Sequence, residues 1–320
     1  MSLRFSIPAS TLCLFISFPV HALSEAHEWL MRINRAAREL NYEGVFVYQH
    51  GSQLETMRIV HRVNNGAVEE RLVSLTGSAR EVIRTDKEVR CYLPDQKSIV
   101  VEARRQDRKS FPAIIPDRLS DLEKNYLIEL GKPARVSGRS AQRLLIRARD
   151  DYRYGYQLWA DRETGLLLKA DLMDKGVVLE QFMFTNINIG GNIPASAVAP
   201  QTSETGMLWY RDTEVPKPSK HSWRAARLPK GFELSSTVIR KMPINDRVVE
   251  QLVYSDGLAA VSVFVEKLNG GGDPKQGPSR MGALNALGRP FDGYYATVVG
   301  EVPIKTISLI SRSLVPGADP

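Results

Sequence analysis

Three stretches near the middle of the chain, residues 152–160, 166–173 and 178–188, read as strands, the first with side chains alternating at a period of two. They are joined only by Asp161-Arg162-Glu163-Thr164-Gly165 and Asp174-Lys175-Gly176. A period of two is extended backbone that presents alternate residues to opposite faces. Connections this short force antiparallel neighbours, because a parallel crossover needs about a dozen residues or more. The pattern extends upstream through 44–49, 54–63 and 67–75, the last two split by the turn Asn64-Asn65-Gly66. Short strands are expected at 81–85, 89–93, 98–102, 127–131 and 141–149. The result is an antiparallel meander, strongly curved or partly closed, with helices packed on it: a mainly β, α+β chain.

Residues 1–22 read as an export signal. Arg4 supplies the positive start, 7–20 an apolar stretch broken by Pro8 and Pro19, and Val20 and Ala22 the small residues before a cleavage point. Cys13 follows Leu12 rather than a small residue, which argues against lipidation. Cleavage leaves Cys91 without an internal disulfide partner. No later segment reaches 18 consecutive apolar residues, so the expected mature protein is soluble and periplasmic. Ser24 caps an amphipathic helix carrying Trp29, Leu30, Ile33, Ala36, Ala37 and Leu40 on one stripe. Residues 104–125 are charged and Pro-interrupted, a loop with one short helix near 119–124.

Periodicity vanishes after Gly190, and 193–220 read as a linker. Beyond it, strands are expected at 232–241, 247–254, 258–268 and 294–301, with a mobile loop at 269–278. Pro303 opens a last helix that turns Ile304, Ile307, Ile310 and Leu314 to the core. The division is 1–22 signal, 23–192 first domain, 193–220 linker and 221–320 second domain.

The charged fraction of 25% and the hydrophobic fraction of 43% are globular and exclude a disordered chain. The net charge of +7 favours acidic partners or anionic head groups. No dense basic run interleaved with aromatics exists, the nearest being Arg104, Arg105, Arg108 and Lys109, so no nucleic-acid partner is expected. His27, His50, His61 and His221 stand at no metal-ligand spacing. No nucleophile elbow, phosphate loop or dinucleotide fingerprint occurs. Asp150 and Asp151 are adjacent, and Asp161 and Glu163 sit in a turn. Nothing selects a catalytic pair, so the chain reads as no enzyme, with no cofactor and no metal.

What stands out is aromatic. Tyr154, Tyr156 and Leu158 share one strand face, with Arg153, Gln157 and Trp159 on the other. Phe46 and Tyr48 repeat the alternation, as do Phe182 and Phe184. These residues fill a core under the helices, or else a curved sheet leaves part of the face as an apolar hollow. On the second reading Phe46, Tyr48, Tyr154, Tyr156, Leu158, Leu172, Phe182 and Phe184 bind an acyl chain. Each buried methylene is worth about 0.8 kcal/mol, with no catalytic residue required.

At these strands the sequence resembles the RseB/MucB family of periplasmic regulators of the sigma-E (AlgU-type) envelope stress response. The resemblance is carried by RYGYQLWADRETGLLLKADLMDKGVVLEQFMFTNI (153–187), NYEGVFVYQ and HRVNNGAVEERLVSLTGSAREVIR (61–84). WRAARLPKGFEL, VYSDGLAAVSVFVE and VVGEVP carry it in the second domain. One departure is Leu167, where the family usually has Pro.

The resemblance implies an N-terminal half-open β-barrel like that of lipoprotein carriers, and a smaller α/β C-terminal domain. It implies binding to the periplasmic part of a membrane anti-sigma factor of RseA/MucA type, which shields that factor from proteolysis. Acylated lipid or lipoprotein signals would relieve the shielding. A carrier of lipid or lipoprotein without regulatory role is the alternative, and self-association into a homo-oligomer stays open.

Overall fold

Hairpin added to hairpin builds one large sheet. The computed structural model describes residues 20–104, 122–212, 222–241, 248–268 and 276–317. Residues 1–19 of the export signal, most of the charged loop, 213–220 of the linker with residue 221, and 269–275 of the expected mobile loop lie outside the described residues.

The N-terminal body opens with α1 (Val20–Glu39) and the meander β1 (Tyr42–His50), β2 (Gln53–Asn64), β3 (Ala67–Ser74), β4 (Glu81–Arg84), β5 (Glu88–Leu93) and β6 (Ser98–Ala103). The second half holds α2 (Leu122–Asn125), β7 (Tyr126–Leu130), β8 (Ala134–Val136), β9 (Arg139–Ala148), β10 (Gly155–Asp161), β11 (Leu167–Asp174) and β12 (Val177–Ile189). It ends in α3 (Ala195–Val198) and β13 (Leu208–Asp212). The order across the sheet is β13-β6-β5-β4-β3-β2-β1-β12-β11-β10-β9-β7, with β8 also on β9. The β1–β12 pairing joins the two meanders. Edges β13 and β7 do not pair with each other, so the barrel is half-open.

The apolar stripe of α1 lies on the concave face. Leu30 and Ile33 are fully buried there against Phe46, Leu158 and Phe184. Burying side chains of this size contributes about 1.5–3 kcal/mol each, which is why a helix of mixed composition holds its place.

The C-terminal body has β14 (Trp223–Ala225), β15 (Glu233–Lys241), β16 (Val248–Ser255), β17 (Ala260–Lys267), β18 (Gly277–Met281), β19 (Leu284–Phe291), β20 (Tyr294–Gly300), α4 (Ile304–Arg312) and β21 (Leu314–Pro316). Six of these strands form an antiparallel sheet ordered β15-β16-β17-β20-β19-β18. It packs on α4 through a core of its own, with Val261, Val263, Val298, Ile307 and Ile310 fully buried.

Several expectations change, among them the cap expected at Ser24, which lies inside α1 because that helix begins at Val20. The linker reading of 193–220 fails as far as Asp212. Ile193 and Val198 pack on Val60, the amides of Gln201 and Thr202 donate to Glu81, and β13 runs parallel to β6. These contacts reach across more than a hundred residues, so no local periodicity reports them. The strand expected from Tyr152 starts at Gly155 instead, because the Asp150 carboxylate accepts the Tyr152 amide and bends the chain. Ile304, at the first turn of α4, is 41% exposed rather than buried. Residues 277–278 of the expected loop begin β18.

Candidate functional site

The eight candidate residues lie on the concave face, and the structure divides them. Phe46, Leu158, Phe182 and Phe184 are at most 6% exposed and belong to the core under α1. Phe46 stands opposite Phe184, and Tyr48 opposite Phe182, across β1 and β12. The three Phe rings meet edge to face at 5.7–6.3 Å, the geometry that their quadrupoles favour. Tyr48 and Tyr156 are half-buried at the border of that core. Tyr154 and Leu172 are covered by the C-terminal body, where Ala283 completes a small apolar cluster with them.

Polar groups surround this contact. Glu180 points inward from β12 because it shares the parity of Phe182 and Phe184. One of its oxygens accepts the Tyr48 hydroxyl at 2.5 Å and the other the Ala283 amide at 2.9 Å. Burial and then the Glu180 bond push the Tyr48 phenol well above its ordinary range. Burial, and then Glu180, also raise Glu301. Asn285 Nδ2 donates to the Tyr154 hydroxyl at 3.0 Å, and Thr306 Oγ1 to the Tyr152 carbonyl at 2.5 Å.

At the far end of the contact lies an ion pair with both side chains fully buried. Arg153 Nη1 is 2.6 Å from Asp256 Oδ2. The same oxygen accepts the Tyr126 hydroxyl at 2.9 Å. Arg153 also donates to both oxygens of Asp150 and to the Lys230 carbonyl, and stacks over Tyr126 and Phe232. The acids noticed in the sequence are thus used structurally. Asp150 braces Arg153, and Asp151 faces Lys175 and Lys305. Asp161 caps its own turn: burial raises its pKa, but bonds from Arg139 and Thr164 outweigh it, leaving the carboxyl below its usual range.

A groove of about 400 Å³ runs beside this ion pair, lined by Leu145, Arg147, Gln157, Met173 and Lys175 among others. Of the eight candidates only Tyr156 lines it. Glu180, Arg153, Asp256 and Ala283 were missed in the sequence. Glu180 left a signal, an acid on the inward parity of an aromatic strand; Asp256 and Ala283 sit in turns and left none. Among the described residues no group of three or more His, Cys, Asp or Glu could hold a metal, and no helix is long and apolar enough to cross a membrane.

A separate buried cluster surrounds His61, whose ring stacks on Tyr42 at 4.6 Å. Its Nδ1 lies 2.9 Å from the Leu40 carbonyl and its Nε2 3.6 Å from Glu70, which Arg84 holds at 2.6 Å. Burial lowers the His61 pKa, against the opposing pull of Glu70. The unfolded chain therefore binds this proton more readily than the fold. The stability due to neutral His61 is complete above the unfolded value of about 6.5 and is lost as pH falls through the window below it. Urea unfolding midpoints of the wild type should drop across that window, and those of His61→Gln should drop less. Equal slopes would exclude His61 as the source.

The chain matches the model of the MucB/RseB N-terminal domain over residues 25–202 and that of the MucB/RseB C-terminal domain over 217–315. It is 34% identical over 311 residues to the sigma factor AlgU regulatory protein MucB of Pseudomonas aeruginosa, with 95% of each chain covered. It is 28% identical over 321 residues to the sigma-E factor regulatory protein RseB of Escherichia coli K12, covering 99% of this chain and 98% of that one. The complex structure of Pseudomonas aeruginosa MucA/MucB is similar at a TM-score of 0.72 and 32% identity, over 92% of this chain and 100% of the other. A crystal structure of MucB gives 0.66 at the same identity, over 92% and 98%.

Proposed function

The chain belongs to the MucB/RseB family, and from that premise we propose that it is a periplasmic regulator of a sigma-E-type factor. It binds the periplasmic part of a membrane anti-sigma factor, shields it from proteolysis, and lets it go when an acylated lipid or lipoprotein enters the apolar face of the half-barrel. The observation that carries the partner is the likeness, over nearly the whole chain, to MucB in its complex with MucA. Support for the ligand comes from the concave aromatic face itself. Half of it is core with Tyr48 at the border, and the rest, Tyr154, Leu172 and Tyr156, meets the C-terminal body through small and polar contacts. Separation of those contacts would bare an apolar surface.

The energetics suffice. Moving a two-state equilibrium from 1:99 to 99:1 takes a differential of about 5.5 kcal/mol. About seven methylenes buried in one state and not the other supply it at about 0.8 kcal/mol each.

The test mixes the mature chain with the periplasmic segment of a membrane anti-sigma factor from the same organism. A saturable complex is expected, with slower cleavage of the segment by added protease and faster cleavage once an acylated lipopeptide is present. No complex at micromolar concentration, together with capture of lipoproteins alone from membrane extracts, would replace regulation with the carrier reading.

A further inference from the structure

The turn between β18 and β19 reaches from the C-terminal body onto the large sheet. Ala283 at its end is fully buried in a cluster with Tyr154, Leu172, Tyr156 and Leu179 that touches the N-terminal core only through Tyr156. Its amide donates to Glu180, and two residues on, Asn285 donates to Tyr154. Gly282 has φ +59°, and a Cβ there would stand 2.8 Å from Glu180 Oε1 and 3.4 Å from His50 Cβ. The left-handed backbone conformation favours glycine, and any Cβ there would push the Glu180 carboxylate aside. Just outside, Met281 is 64% exposed. A small apolar group with an N–H at its head is thus seated in an aromatic cup whose lip is a carboxylate.

We propose that this turn is a self-ligand: Gly282–Ala283 occupies the site that an amide-linked acyl chain takes, so that ligand and C-terminal body compete for Tyr154, Tyr156, Leu172 and Leu179. The proposal rests on the acyl-ligand reading above and adds the class of head group. Glu180 accepts a donor, as it accepts the Ala283 amide. A free fatty acid would bring a carboxylate against Glu180 and Glu301, whereas an N-acyl amide brings the N–H that the site already binds. Regulation then follows from exclusion: the acyl chain enters only as the C-terminal body leaves.

The experiment uses the full mature chain and a fluorescent N-dodecanoyl peptide amide, with dodecanoate as comparator. Ala283→Asp and Gly282→Val unseat the turn; Ala283→Ser keeps it. Thermal unfolding of each variant checks that the C-terminal body still folds. The unseated variants should bind the amide at least tenfold more tightly than the wild type, Ala283→Ser should match the wild type, and dodecanoate should bind at least tenfold more weakly than the amide. Hydrogen exchange on the unaltered chain gives a second readout that needs no variant: the amide probe should speed exchange at Ala283. Equal affinities across variants with unchanged exchange would overturn the competition and leave the ligand reading standing. No binding to any variant would overturn both.

Discussion

Asp256→Ala is expected to destabilise the docked two-body state by about 3–5 kcal/mol, the range for removing one partner of a buried ion pair. Both side chains of the pair are fully buried. The substitution strands the Arg153 guanidinium and the Tyr126 hydroxyl, and removes the acceptor for the amides of Leu258 and Ala259. Bonds from Arg153 to Asp150 and to the Lys230 carbonyl survive, which keeps the loss from growing further. Replacing both members by apolar residues should cost less than the two single changes summed, because neither charge is then left alone. Urea unfolding followed by tryptophan fluorescence, beside small-angle scattering at zero denaturant, separates loss of docking from loss of folding. A change below about 1 kcal/mol, typical of an exposed pair, would show that the pair does not hold the bodies together.

Phe184→Ala should be comparably severe, at about 3–5 kcal/mol. Phe184 is fully buried and meets Tyr42, Phe46 and Phe182 edge to face, so truncation leaves a cavity that α1 and the sheet cannot close. Tyr156→Ala, at a half-buried border position, should cost under about 2 kcal/mol. The contrast matters for function. Ligand loss in Phe184→Ala reports a damaged core, whereas ligand loss in Tyr156→Ala with the fold intact reports a contact. If the two variants unfold at the same denaturant concentration, the division of the aromatic face into core and border is wrong.

The meander, its hairpins and the joint parity of Phe46, Phe182 and Phe184 could be read from alternation, because the middle of β1 and β12 buries one face. Strand β13 could not. It lies alone in a Pro- and Thr-rich stretch, and its partner β6 is about a hundred residues away. The aromatic face was legible as a face, but its covering was not. That Ala283 and Asp256 touch it depends on how two separately folded bodies meet, and the residues concerned are a small side chain and a turn acid, which look alike wherever they are used. The inward carboxylate Glu180 lies between: its parity was visible, its bond to another body was not.

The anchoring of β13 against β6 fixes where the connection to the C-terminal body departs. From Asp212 to Ser222 the chain can extend at most about 36 Å. A body released from the half-barrel therefore stays within reach of the surface it left, at an effective concentration of order millimolar. On the proposed exclusion, an outside ligand therefore competes with an intramolecular contact, made by the turn together with the Arg153–Asp256 pair, rather than with a free partner. If release follows the proposed exclusion, its threshold would depend on the length of chain between Asp212 and Ser222 as well as on the contact residues.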